Sequence, residues 1–215
     1  EVTEDEVQEV TAPALAPFEI EGRVVVEGQA EAPALKGVQV ALTADDDIYQ
    51  SVPMAPVREG GVFRLAGVTA DRYQVAVTGL PEGLYLKSVA VGSRDWGQGA
   101  VELSAGGQPM TLTLGADAAA VSGAVRALRG EPAPGAFVVL LDRAQRPRHS
   151  YTVRADEKGV YRIMSVQPGE YRLFAAAEVD AGGVDDPDYV KPWLSRAVPV
   201  KAGAKERPVA DLLLQ

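Results

Sequence analysis

The chain has 215 residues, of which 47% are hydrophobic and 24% are charged, a composition typical of a globular protein with one large or two small domains. Its formal net charge of −9 disfavours binding to nucleic acids and to anionic membrane surfaces, because like charges repel. The absence of cysteine excludes disulfides, thiol catalysis and thiolate metal sites, and no apolar run reaches the length of a membrane span.

Residues 1–17 form an acidic segment that becomes rich in alanine and proline. Its carboxylates and prolines favour an extended, solvated tail. The alternative is a β-strand donated to a neighbouring subunit. The apolar residues available to such a strand, whose spacing is not a clean alternation, are Val2, Val7, Val10 and Leu15. No signal peptide is recognisable, so Glu1 is expected to be either a cleaved N-terminus or an artificial boundary.

Residues 18–117 are predicted to form a first β-sandwich module. Apolar and polar side chains alternate with a period of two residues, which indicates strands, and glycine- or proline-containing turns separate them. The predicted strands cover residues 18–27, 37–43, 49–54, 84–91, 100–103 and 110–114, with a hairpin over 62–78.

Residues 118–215 are predicted to form a second module, joined to the first through the three alanines at 118–120. Residues 180–193 are expected to form a long acidic loop. The predicted strands cover residues 121–127, 135–142, 151–154, 197–200 and 209–214, with a hairpin over 159–177.

The two predicted hairpins form an internal repeat around which the chain is organised. Residues 159–177 contain two alternating stretches around a Gln-Pro-Gly-Glu turn at 167–170, and this Pro-Gly pair favours a type II turn in which glycine takes a positive φ. Residues 61–80 show the same pattern 98 residues earlier, which aligns Tyr73 with Tyr171. Each tyrosine begins a strand just after a turn, where its hydroxyl group can pin the corner.

Many short strands with frequent turns, and no long stretch of helical periodicity, predict an all-β protein. Each half of the chain has about the usual size of a domain. The predicted fold is therefore two tandem β-sandwich modules with an extended N-terminal tail.

Residues 121–125, 132–140, 156–163 and 168–173 of the second module follow a family pattern. Through these stretches the second module resembles the carboxypeptidase regulatory-like domains, a transthyretin-like family of seven-stranded sandwiches, and the resemblance implies that the two modules are of the prealbumin/Ig-like type. The first module resembles the same family but has Thr-Ala-Asp-Arg at 69–72 where the family has Pro-Pro-Gly. Residues 79–89 and 186–193 are similar to segments of multi-repeat exported proteins of Acidobacteria-type bacteria. The resemblance implies an accessory module with an adhesion, spacing or scaffold role outside the cytoplasm.

The side chains that common enzyme classes require are scarce. His149 is the single histidine, whereas a zinc carboxypeptidase needs several His and Glu ligands. It lies in a basic polar stretch without a nucleophile elbow, so a Ser-His-Asp triad is not indicated. Glycine-rich nucleotide-binding motifs are absent. We therefore predict no enzymatic activity.

Two groups of residues are candidates for ligand binding. Carboxylate-rich loops can bind calcium weakly, although solvated turn carboxylates give the same pattern. The calcium candidates are Asp45, Asp47, Asp185, Asp186 and Asp188. Trp96 and Trp193 lie in predicted loops, where an indole ring either stacks on a sugar or plugs one end of a sandwich.

Together these observations predict a non-enzymatic, extracellular structural or interaction protein of a bacterial cell surface. The expected partners are further copies of the chain, joined head-to-tail into a filament by donation of the N-terminal strand, or other surface proteins. The alternative is a carbohydrate- or calcium-binding accessory module of a larger exported protein, and no other cofactor is expected. The lack of both Asn and Cys follows a trend of thermophile proteins, which is compatible with a hot habitat.

Overall fold

A computed structural model describes residues 16–29, 35–44, 53–143, 150–180, 183–184 and 186–215. These residues form two β-sandwiches in tandem, each with two packed sheets. Each sandwich encloses its own hydrophobic core. The predicted all-β fold class with two sandwich modules is confirmed.

The first module has two sheets, with strand orders β4-β1-β9-β6-β7 and β3-β2-β5-β8. Strand β9 runs parallel to β1, whereas the other pairs are antiparallel. The strands are β1 (Phe18–Val26), β2 (Gln39–Ala44), β3 (Met54–Pro56), β4 (Val62–Val68), β5 (Asp71–Thr78), β6 (Tyr85–Val91), β7 (Arg94–Asp95), β8 (Val101–Leu103) and β9 (Met110–Gly115).

The second module has sheets with strand orders β13-β10-β16 and β12-β11-β14-β15. Its elements are β10 (Ala119–Arg126), β11 (Phe137–Asp142), β12 (Ser150–Arg154), β13 (Val160–Val166), β14 (Gly169–Ala176), α1 (Pro187–Leu194), β15 (Val198–Ala202) and β16 (Leu212–Leu213). The strands β10 to β16 correspond in order to β1, β2, β3, β4, β5, β8 and β9. The modules differ after their fifth strand, where the first has β6 and β7 and the second has α1.

The link between the modules is short. Strand β9 ends at Gly115 and β10 begins at Ala119, so three residues connect the two sandwiches. The predicted join at 118–120 is wrong in its second part, because Ala119 and Ala120 are buried strand residues. Small side chains at the start of β10 are compatible with a buried strand as well as with a linker.

The predicted hairpin over 159–177 is wrong, although both of its strands exist. Strand β13 pairs with β10, whereas β14 pairs with β11 and β15 in the other sheet. The chain therefore crosses from one sheet to the other, and β4 and β5 do the same in the first module. The left-handed residue lies at Ser165, with φ of 57°, and Gly169 is not among the positive-φ residues, so the expected type II turn does not form.

A tyrosine pins each of these crossings, as predicted. The Tyr171 hydroxyl donates to the Gln167 carbonyl oxygen at 2.6 Å, and the Tyr73 hydroxyl donates to that of Thr69 at 3.2 Å. Both rings are buried. The hydroxyl groups thus satisfy backbone carbonyls that leave the sheet ladders at the corner.

The predicted acidic loop at 180–193 contains the helix α1. The Asp186 carboxylate accepts a hydrogen bond from the Asp188 N–H at 2.9 Å, and Pro187 occupies the first turn, a typical helix start. The helix covers the outer face of the sheet that contains β11 and β14. The buried residues of this third cluster are Val139, Leu141, Phe174, Ala176, Val184, Val190 and Ala197.

Candidate functional site

Backbone hydrogen bonds hold the link between the modules, and we call this region the joint (residues 82–85, 115–119, 162 and 205–207). The Ala118 N–H donates to the Gly83 carbonyl oxygen at 3.2 Å. The Lys205 N–H donates to the Asp117 carbonyl oxygen at 3.0 Å. The link is therefore bonded to a turn of the first module and to a turn of the second.

A carboxylate of the first module lies between two arginines of the second. Glu82 accepts from Arg207 at 2.8 Å and from Arg162 at 3.2 Å. The side chains of Glu82 and Arg162 are about half exposed and that of Arg207 is more exposed, so each ion pair contributes at most about 1 kcal/mol. Their main effect is on the orientation of the two modules, because a single carboxylate of the first module bonds two arginines of the second.

Tyr85 packs against the joint on the side of the first module. Its ring lies over Gly115, where an added Cβ would be 2.4 Å from the ring. Burial, followed by the charge of Asp117 and a hydrogen bond with it, raises the pKa of Tyr85 to about 12. The phenol is therefore a neutral donor at the link throughout the physiological pH range.

A second feature is the edge formed by residues 209–215, which we call the β16 edge. In the first module, β9 lies between β1 and β6. In the second, β16 pairs with β10 on one side, and on the other side Leu214 forms a bridge with Ala175 of β14, whose carbonyl oxygen accepts from the Gln215 N–H at 3.0 Å. The N–H groups of Ala210 and Leu214 donate to carbonyl oxygens of β10 at 2.8 Å. Successive residues of a strand direct their backbone groups to opposite edges. The N–H groups of Asp211 and Leu213 therefore point away from β10.

The β16 edge is also apolar where it is exposed. Val209 is 74% exposed and Leu213 is 58% exposed. Exposed strand edges with apolar side chains are templates for pairing with another chain.

Several predicted site residues lie outside the described part of the chain. They are the tail residues Val2, Val7, Val10 and Leu15, the carboxylates Asp45, Asp47 and Asp185, and His149. Their roles stay predictions.

The two remaining calcium candidates, Asp186 and Asp188, are exposed and lie at the N-terminus of α1. Asp186 caps the helix, and Asp188 in the first turn interacts favourably with the helix dipole. The described residues contain no group of three or more potential metal ligands.

Trp193 lies in α1 rather than in a loop. Its ring stacks on Phe174, with centroids 5.5 Å apart and an interplanar angle of 4°. The ring centroid of Tyr189 lies 5.3 Å from that of Trp193. One face of the indole is therefore covered by the protein, and the helix anchors itself to the sheet through this ring.

Trp96 is half-buried at the edge of the first core. The Arg94 guanidinium lies 3.6 Å from the ring centroid. The indole N–H is buried and has no acceptor among the described residues. A pocket of about 350 Å³ adjoins the ring, lined also by Glu102 and Gln108, so the groups around Trp96 are suited to a polar ligand.

The comparison with known proteins bears on the second module. The segment 120–184 matches the model of the carboxypeptidase regulatory-like domain. The resemblance predicted for this module is confirmed. The match extends from β10 to the residues just before α1, and no curated protein matches the chain.

The solved structures that match the chain are distant. The shaft pilin of Lactobacillus rhamnosus GG is 10% identical, with 92% of this chain and 97% of that chain covered and a TM-score of 0.32. A minor pilin of Streptococcus agalactiae is 12% identical, with coverages of 90% and 94% and a TM-score of 0.34. The TIE protein of Bacillus anthracis is 11% identical, with a TM-score of 0.33; 91% of this chain aligns, and the chain spans about a third of that protein.

None of the described residues belongs to a helix of the length and apolar character needed to cross a membrane.

Proposed function

We propose that the chain is a non-enzymatic structural protein of a bacterial surface that assembles with copies of itself. In this proposal the two modules act as one stiff unit, and the N-terminal segment joins each copy to the next. The observation that carries the proposal is the joint, where backbone bonds and the Glu82 carboxylate tie the two modules together.

A stiff pair of modules suits a spacer or filament subunit. Domains of one chain move relative to each other unless their interface holds them. Here the three-residue link is short, and its Asp117 carbonyl and Ala118 N–H are both bonded to turns. A subunit with these restraints keeps its two ends at a constant separation, which regular assembly requires. The match to a family of accessory modules supports a location outside the cytoplasm.

Electron microscopy of the intact chain beside a chain that lacks residues 1–17 tests this proposal. We expect filaments or short chains of the intact protein and two-lobed particles of uniform size after the deletion. Monodisperse two-lobed particles in both samples would overturn self-assembly.

The pocket beside Trp96 favours a second candidate function, binding of a carbohydrate. Trp96, Arg94 and Glu102 line this pocket, and an indole ring, a guanidinium and a carboxylate can bind the faces and hydroxyl groups of a sugar. Calorimetry with oligosaccharides tests this, with Glu102→Gln as the matched variant that keeps the size of the side chain but removes its charge. Equal binding by both proteins, or none, would exclude the pocket as a sugar site. Calcium binding by the acidic loops is tested in the same instrument.

A further inference from the structure

A pocket of about 600 Å³ lies on the outer face of the first module, and we call it the arginine pocket (residues 21–23, 58, 62–64 and 109–111). Three arginines and one glutamate line it, a net charge of +2 in a chain whose net charge is −9. We propose that the arginine pocket binds the acidic segment at residues 4–10 of the same chain, which lies outside the described residues. This inference goes beyond the proposed function, because docking within one chain does not require self-assembly.

The pairing of two strands brings the arginines together. Arg23 of β1 is opposite Val62 of β4, and Glu21 is opposite Arg64. The Arg58 N–H donates to the Val62 carbonyl oxygen at 2.8 Å, which places Arg58 at the same end of β4. Residues two apart in a strand face the same side, so the exposed side chains of both strands share the outer face of the sheet.

Two of the three arginines are available to a ligand. Arg64 pairs with Glu19. Arg23 and Arg58 are exposed, and neither forms an ion pair with another described residue. Guanidinium groups form their strongest hydrogen bonds with carboxylates, so the arginine pocket favours a ligand that carries carboxylates.

The rest of the lining is partly apolar. Phe63 and Met110 are buried, and Val62 is 41% exposed. A ligand that combines apolar side chains with carboxylates therefore suits the pocket. Residues 4–10 are Glu-Asp-Glu-Val-Gln-Glu-Val, with four carboxylates, two valines and no cation. The segment thus matches the pocket in both charge and apolar character.

The second module differs at the position that matters most. Val62 is opposite Arg23 in the first module, whereas its counterpart Val160 is opposite Ala124 in the second. The free guanidinium of the first module is therefore replaced by a methyl group. The arginine pocket belongs to the module that directly follows the acidic segment.

The segment can reach the pocket of its own chain. Arg23 lies five residues after Phe18 on β1, about 17 Å along the strand at roughly 3.3 Å per residue. Residues 10–17 allow Glu9 to lie as far as about 30 Å from Phe18. A flexible tether of this length gives a millimolar effective concentration. At the micromolar concentrations of a binding assay, the same chain therefore fills the pocket before a second copy does.

The proposed assembly uses the same segment. Salt screens exposed charges, so a rise in salt concentration should release the segment from the pocket and leave it free to join another copy.

Fluorescence anisotropy with a labelled peptide of residues 1–10 tests the pocket. The acceptor is the full chain with its own segment neutralised by Glu4→Gln, Asp5→Asn, Glu6→Gln and Glu9→Gln. We expect Arg23→Gln with Arg58→Gln in this neutralised chain to weaken peptide binding about tenfold, because two exposed ion pairs are lost. Circular dichroism verifies that the variants fold, which is expected because all the substituted side chains in the pocket are exposed.

The matched control is Arg172→Gln with Lys201→Gln in the same neutralised chain. These two residues line another pocket, beside Glu170 in the second module, so the control removes the same number of positive charges elsewhere. It should leave peptide binding unchanged. No binding to the neutralised chain, or equal losses in the two double variants, would overturn the arginine pocket as the site.

The native chain tests whether its own segment is the occupant. It should bind the peptide about tenfold more weakly than the neutralised chain at every protein concentration, because a tethered segment competes independently of concentration. Equal binding by the two chains, or a difference that vanishes at low concentration and so indicates a second copy, would overturn docking within one chain. Filaments that depend on the tail can still form in either case, so the proposed function is judged separately by electron microscopy.

Discussion

At the scale of single residues, one glycine in each module allows an aromatic ring to enter the core. Gly22 pairs with Phe63, and Gly123 pairs with Tyr161. A Cβ on Gly22 would lie 2.1 Å from the Phe63 ring, and a Cβ on Gly123 would lie 1.9 Å from the Ala210 carbonyl oxygen. The Ala210 oxygen belongs to the backbone, so no side-chain rotation can move it away from a Cβ on Gly123.

Gly123→Ala is therefore expected to destabilise the second module by about 1–3 kcal/mol or more, the usual range for overpacking. Chemical denaturation followed by circular dichroism measures the loss. Gly99→Ala is the control, because the nearest atom to its Cβ would be the Trp96 carbonyl oxygen at 3.3 Å. A loss no larger than that of the control would contradict the close approach of the Ala210 carbonyl.

The corner tyrosines give a second prediction at this scale. Tyr171→Phe and Tyr73→Phe each remove a hydroxyl that bonds a carbonyl four residues earlier. Each should cost about 1 kcal/mol, the net contribution of such a bond. Since the two corners lie in separate cores, the double variant should show the sum of the two losses. Strong non-additivity in urea titrations would contradict the energetic independence of the two corners.

At the scale of elements, α1 turns one sheet of the second module into a layer buried on both faces. Five of the six residues of β11 are buried, as are the last four of β14. Continuous apolar runs of this kind are typical of strands covered on both sides. The sequence therefore indicates that both faces of this sheet are covered.

Trp193→Ala should therefore destabilise the second module by roughly 1–3 kcal/mol, less than for a fully buried ring because the indole is half-exposed. Calorimetry measures the change. Leu128→Ala is the matched control, since removal of a side chain that is 84% exposed should change the stability by less than about 0.5 kcal/mol. An unchanged melting temperature in Trp193→Ala would show that α1 does not anchor to the sheet.

At the scale of the whole molecule, Tyr85 in the joint makes the free energy of unfolding fall as the pH rises through the alkaline range. The pKa of Tyr85 in the folded chain is raised from 10.0 to about 12, so between these values the unfolded chain has lost a proton that the folded chain keeps. The stabilisation is complete below pH 10 and is lost as the pH rises through 12.

Melting curves at a series of pH values check this expectation. Tyr85→Phe should flatten part of the decline above pH 10, because phenylalanine has no proton to lose. Burial also raises the pKa of Tyr161, but that residue is present in both proteins, so the difference between them isolates Tyr85. Parallel pH profiles would contradict the buried contact with Asp117.

Much of the fold could be predicted from the sequence because strands have a period of two, which reveals the buried face of each strand. The 98-residue repeat gave the two modules, and the positions of Tyr73 and Tyr171 gave the two corners. The candidate sites could be predicted less well. The sequence predicts a loop at Trp193, where the structure has α1, and neither the Glu82 contact nor the β16 edge has a local pattern.

The sequence by itself determined the strands, their inward faces and the tandem repeat, since these depend on neighbours along the chain. Only the tertiary structure decided which strands pair. The same alternation of apolar and polar residues is compatible with two strands paired in a hairpin and with two strands in opposite sheets. It also decided that β6 and α1 take different places after equivalent strands, β5 and β14. Among the described residues, no strand takes the place beside β16 that β6 has beside β9, which follows from that difference, since pairing depends on contacts between residues far apart in the chain.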